Sequence, residues 1–160
     1  RRRTRFVWQQ CRKVRRREAM MPEKDLTHVV PKTPSDVSST ENPVELFGMY
    51  VAHVGINACD AHEAEDIADR FSILMGLLKK EMEPSFFSGT LVEIMKQNGR
   101  GEKGHIGFHV DDLPAAEKWF EARGFEIDES SRRLLPDGST FLVYFKKQIA
   151  GFAIHLTVAQ

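Results

Sequence analysis

Two short stretches decide the fold: His53-Val54-Gly55-Ile56-Asn57 and His105-Ile106-Gly107-Phe108-His109. They stand 52 residues apart and share a histidine, a β-branched residue, a glycine and an apolar residue in the same order, which marks an internal duplication. Each is followed by an acidic turn, Asp60 in the first copy and Asp111-Asp112 in the second, and then by a helical pattern. The steps between Ala64, Ile67, Ala68, Phe71, Leu74 and Leu78 predict a helix over 61–80 with those residues on its buried stripe. The second copy predicts a helix over 113–123, with Asp112 as N-cap, Pro114 in the first turn and Gly124 as the stop. Its apolar stripe is Ala116, Trp119 and Phe120. Strand-like segments follow at 86–89 and 91–96, then at 125–128, 133–135, 141–146 and 152–158, with Pro136-Asp137-Gly138 as a turn. Strand, helix and strands, twice over, make an α+β domain in which a helix crosses one face of each short sheet.

Neighbouring side chains on a strand take opposite faces. One face therefore collects Val54, Ile56, Val92, Ile94, Ile106, Phe108, Val110, Phe152, Ile154, Leu156 and Val158. That face suits helix packing. The other carries His53, Asn57, Glu93, His105, His109, His155 and Thr157, and on it Gly55 and Gly107 leave room above the sheet. Three histidines and a glutamate at strand centres are donor types for a divalent cation, with two ligands from each copy: His53 and Glu93, then His105 and His155. Hydrogen bonding among these groups and water in a polar cleft is the metal-free alternative. Asn57 and His109 are candidates to bind substrate. Asn57 could equally cap the loop before the helix, and His109 could be a solvated strand end.

The remaining chain sets the frame. With 160 residues, 41% apolar and 29% charged, it has material for one globular core. No run reaches the roughly 18 apolar residues of a membrane span. The formal net charge of zero hides an asymmetry. Residues 1–19 hold eight arginines and Lys13 against Glu18, a surplus of eight positive charges, so the rest carries eight net negative charges. An acidic folded domain does not suit nucleic acid. Three readings fit 1–19: a disordered leader or start-site artefact, a transit peptide poor in serine, or a nucleic-acid arm in which Phe6 and Trp8 stack on bases. Residues 22–43 have linker chemistry, which divides the chain into a basic leader and disordered linker over 1–45 and a domain over 46–160. Cys11 and Cys59 are too few for a disulfide scaffold and point to a reducing, cytoplasmic setting.

The duplicated unit with a histidine on the first strand of each half resembles the vicinal oxygen chelate superfamily, which includes glyoxalase I, fosfomycin-resistance proteins, extradiol dioxygenases and bleomycin-resistance proteins. The resemblance implies two βαβββ modules forming a cup-shaped mixed sheet with helices on its outer face. It places metal ligands on the first and last strands of each half, here His53, Glu93, His105 and His155. Superfamily enzymes usually carry an acid where this chain has His155. Over about 46–158 the chain is also similar to the C-terminal extension of some bacterial bifunctional 2-keto-4-hydroxyglutarate/2-keto-3-deoxy-6-phosphogluconate aldolases. The matching stretches are Ala52-His-Val-Gly-Ile-Asn57, Val92-Glu-Ile-Met-Lys96, Gly101-Glu-Lys-Gly-His-Ile106 and Gly151-Phe-Ala-Ile-His-Leu156. The 160 residues hold no aldolase barrel and no lysine in an apolar strand setting, so no aldolase activity is implied.

Two functions follow as expectations. One is a metal-dependent enzyme (isomerase, lyase or dioxygenase) that binds two neighbouring oxygens of a keto or hydroxy acid to Zn, Ni, Mn or Fe, the ion stabilising an enediolate or alkoxide and Glu93 or a bound hydroxide moving the proton. The other is an accessory module that holds a metabolite without turning it over. Expected partners are a small-molecule ligand and neither nucleic acid nor membrane. A homodimer is compatible with the duplication and not required by it.

Overall fold

The computed structural model describes residues 42–158. The leader and most of the linker, with Trp8, Cys11 and His28, lie outside the described residues. Eleven elements follow in order: α1 (Pro43–Phe47), β1 (Tyr50–Asn57), α2 (Ala61–Met75), β2 (Lys79–Glu81), β3 (Ser85–Ser88), β4 (Val92–Met95), β5 (Gly104–His109), α3 (Leu113–Glu121), β6 (Ile127–Leu134), β7 (Thr140–Phe145) and β8 (Phe152–Thr157).

The eight strands of the described residues form one mixed sheet in the order β2-β3-β4-β1-β5-β8-β7-β6. At its centre β1 and β5 run antiparallel, while β4 lies parallel to β1 and β8 parallel to β5. The order therefore reads the same outward from the β1–β5 seam in both directions. This is the α+β class with paired strand–helix–strands modules that the duplication predicts.

Local chemistry sets the ends of both long helices. Asp60 Oδ1 accepts from the Glu63 N–H at 2.8 Å, and Asp112 Oδ1 accepts from the Ala115 N–H at 3.0 Å, so each acidic turn caps the helix behind it. The helices cover the apolar face. Ala64 and Ala68 of α2 pack on Phe86 and Ile94. Leu113, Ala116 and Phe120 of α3 pack with Val110, Val143, Ile154, Leu156 and Phe47. Among the described residues no helix is long and apolar enough to cross a membrane.

Three expectations need correction. The helix expected over 61–80 stops at Met75, where Gly76 takes the left-handed conformation at φ 67°, and 79–81 becomes an edge strand paired with β3. The end of α2 is not packed, so Leu74 and Leu78 are 78% and 88% exposed instead of buried on the stripe. The second helix ends at Glu121, with Ala122 as its C-cap. The separate strands expected at 125–128 and 133–135 are one strand, β6, whose register against β7 jumps between Asp128 and Arg133. A bulge of that kind breaks the alternation that strand reading relies on.

Candidate metal centre

The four strands at the middle of the sheet, β4, β1, β5 and β8, each present one donor to the same point. His53 Nε2 lies 3.2 Å from His105 Nε2 and 3.2 Å from His155 Nε2. Glu93 Oε2 lies 3.0 Å from His105 Nε2 and 3.5 Å from His53 Nε2. The three imidazoles each offer a nitrogen within 4.8 Å of the others. Ligands about 2.0–2.2 Å from an ion stand roughly 3.0–3.5 Å apart along the edges of its coordination polyhedron. The donor set fits a divalent cation.

Hydrogen bonding alone serves the cluster poorly. A neutral imidazole Nε2 carries either one proton or one lone pair, yet His53 Nε2 faces two other ring nitrogens. Two of the rings are pushed toward the neutral form. Burial, reinforced by His53 and His105, pushes His155 down to about 3. Burial also lowers His53, against the pull of Glu93. Glu93 stays below the usual carboxylate range: burial raises it, but hydrogen bonds from His105 and Ser85 outweigh that. The Ser85 hydroxyl donates to Oε1 at 2.7 Å, which turns Oε2 toward the histidines. On His155, Nδ1 is buried with no hydrogen-bond partner.

The glycines of the two repeats make room for the histidines. Antiparallel pairing sets His53 opposite Gly107 and Gly55 opposite His105. A Cβ at Gly55 would fall within the His105 ring, and one at Gly107 would stand 2.6 Å from His155 Nε2 and 2.7 Å from His53 Cε1. The room above the sheet is filled by imidazoles leaning across the seam, and that lean brings them together.

Above the cluster the sheet curls around a cavity of about 650 Å³, lined from Lys80 on β2 to Tyr144 on β7. His53, Glu93, His105 and His155 all line it, with Phe87, Phe141, Leu142, Met82 and Met95 as apolar walls. Tyr144 and Arg100 line it as well and were not singled out from the sequence. The Tyr144 ring lies 4.8 Å from the His155 ring, and burial, then Glu93, pushes its hydroxyl up to about 12. The signal for Tyr144 was available: on a strand over 141–146 it shares a face with Leu142. Arg100 sits in a loop and follows no periodicity.

Asn57 and His109 are not among the residues lining the cavity. Asn57 Nδ2 donates to Gly101 O at 2.9 Å and to Gly99 O at 3.4 Å, tying down the β4–β5 loop. His109 is buried at the end of β5, its Nε2 3.1 Å from Asp111 Oδ1 and its ring stacked 4.7 Å from Tyr50.

No family model matches the sequence, and no curated protein matches it. Solved structures do. A Streptomyces coelicolor methylmalonyl-CoA epimerase in complex with 2-nitronate-propionyl-CoA is 15% identical, with 66% of this chain and 94% of that one covered at a TM-score of 0.46. The Mycobacterium tuberculosis methylmalonyl-CoA epimerase is 15% identical, with 67% and 85% covered at 0.47. A hypothetical protein from Bacillus halodurans is 12% identical, with 70% and 95% covered at 0.49. Likenesses this distant assign no substrate or activity to the chain.

Proposed function

We propose that residues 46–160 form a metal-binding domain of the vicinal oxygen chelate type that acts on a small keto or hydroxy acid. The observation that carries this reading is the convergence of His53, Glu93, His105 and His155, with donor atoms 3.0–3.5 Å apart, in the wall of a cavity. Those four residues would hold Zn, Ni, Mn or Fe, and the ion supplies Lewis-acid polarisation of two neighbouring substrate oxygens. Glu93, kept ionised by hydrogen bonds from His105 and Ser85, is the carboxylate that would take up the substrate's proton. Tyr144 keeps its hydroxyl proton at neutral pH and donates to a ligand oxygen. Phe87, Phe141 and Leu142 exclude water from the ligand's apolar part.

The second reading, a metabolite-holding module without turnover, draws on the size of the donor set. Four protein ligands complete a tetrahedral ion and leave no position for substrate, whereas a six-coordinate ion keeps two. The identity of the metal therefore separates the readings. The test is elemental analysis of the purified full chain after loading with each ion, repeated on His105→Ala. One equivalent of metal that the variant loses supports the centre. A folded wild-type chain that takes up none of the four ions overturns it.

A further inference from the structure

We propose that Arg100 docks an anionic substituent of the ligand, so that the substrate is an acid with a second carboxylate remote from the oxygens facing the histidines. This rests on the reading of the cavity as a small-acid site and specifies what that acid carries.

Arg100 reaches the cavity from the loop between β4 and β5, which is anchored at several points. Asn57 holds the carbonyls of Gly99 and Gly101, and the Lys103 N–H donates to Gly151 O at 2.8 Å. The guanidinium is fixed as well. Nη1 donates to Asp128 Oδ2 at 2.8 Å, and the guanidinium carbon lies 4.7 Å from the centre of the Tyr144 ring. Asp128 is itself held through Oδ1 by the N–H and hydroxyl of Ser130, at 3.2 and 2.5 Å. A guanidinium has five N–H donors. Asp128 occupies one, and among the described residues the others have no hydrogen-bond partner.

With its side chain 46% exposed, this ion pair adds little to stability. What it does is fix one edge and one face of a planar fork beside a cavity. A fork held in that way suits two-point capture of a carboxylate. The Tyr144 ring lies 4.7 Å from the Arg100 guanidinium carbon and 4.8 Å from the His155 ring, so the anionic group docks beside the same ring that borders the histidines. Lys80 lines the cavity too, but among the described residues no ion pair orients its ammonium. Arg100 is the placed cation.

Calorimetric titration of the metal-loaded full chain with 2-oxobutyrate and 2-oxoglutarate, which differ by a second carboxylate, tests the assignment. Wild type should prefer 2-oxoglutarate by about ten- to hundred-fold, the worth of a charge-assisted hydrogen bond. Arg100→Ala should abolish that preference, Arg100→Lys should restore part of it, and Asp128→Asn, which releases the fork without removing it, should weaken it. Equal affinity for the two probes in wild type, binding of neither, a preference that survives Arg100→Ala, or one lost only in Lys80→Ala would each overturn the proposal. Metal content measured on the same samples separates the two readings. An Arg100-dependent preference in protein that holds no metal refutes the metal centre and leaves this docking site standing. A metal-loaded chain indifferent to the second carboxylate does the reverse.

Discussion

In the first half of the sheet, Lys80, Phe87 and Glu93 follow one another across β2, β3 and β4 and meet Gly55 on β1. In the second half, Asp128, Tyr144 and His155 follow across β6, β7 and β8 and meet Gly107 on β5. Position by position the rows correspond, and at every position except glycine the chemistry differs. The first half supplies an anionic candidate ligand, an apolar wall and a lysine at the rim of the cavity. The second supplies a neutral candidate ligand, a hydroxyl and the acid that anchors Arg100. Duplication fixed where side chains stand around the seam, and the two copies then divided the work of one site between them.

The cores diverge in the same way. The second half is sealed by α3, with Phe47 of α1 lying against it, around Val110, Leu113, Phe120, Val143 and Leu156. The first has a smaller cluster of alanines, Phe86 and Ile94 under α2 and leaves Ile73, Leu74 and Leu78 at least 78% exposed. Stability should therefore reside mainly in the second half.

The largest test of that asymmetry is Phe120→Ala, which removes a ring packed against Phe125 and Phe145 and should cost about 3–5 kcal/mol in urea unfolding. A loss under 1 kcal/mol would mean the second half does not dominate. Next comes Gly55→Ala. The added methyl meets the His105 ring, so overpacking should cost about 1–3 kcal/mol and abolish metal uptake by displacing one ligand. Gly107→Ala should do the same through His53 and His155; retained stoichiometric metal in both would break the reciprocal-clearance account.

The buried site should also respond to acid. In the metal-free protein His155 is depressed from 6.5 to about 3, so the unfolded chain takes up its proton first. Its contribution is complete above pH 6.5 and is lost as pH falls toward 3. Glu93 is depressed from 4.5, and its contribution is lost only below that value. Unfolding followed against pH should therefore show His155→Gln flattening the slope between 6.5 and 4.5. The smallest effect belongs to Leu78→Gln, which at 88% exposure should alter stability by no more than about 0.5 kcal/mol. A larger loss would show that the surface at the end of α2 is covered in solution.

Much of this was legible in the residues. The repeated His-x-Gly stretches, the two acidic caps and the alternation along β1, β4, β5 and β8 led to paired modules and to His53, Glu93, His105 and His155 on one face. Tyr144 was open to the same reading of β7. The edge strand β2 was not legible, because Lys79, Lys80 and Glu81 carry no apolar alternation and pair only because β3 offers them an edge. Arg100 was illegible for a related reason: its role depends on Asn57, Asp128 and Tyr144, which come from three other strands.

By itself, then, the order of residues settled which side chains share a face, since that follows from the two-residue period of a strand and the chain cannot alter it. Which of those side chains touch was decided only when β1 met β5 antiparallel and the sheet curled. Register across the seam put each glycine beneath the other half's imidazole, and curvature brought β2 and β7 to the same cavity. Register and curvature arise from pairing between distant segments, and no local pattern of residues encodes them.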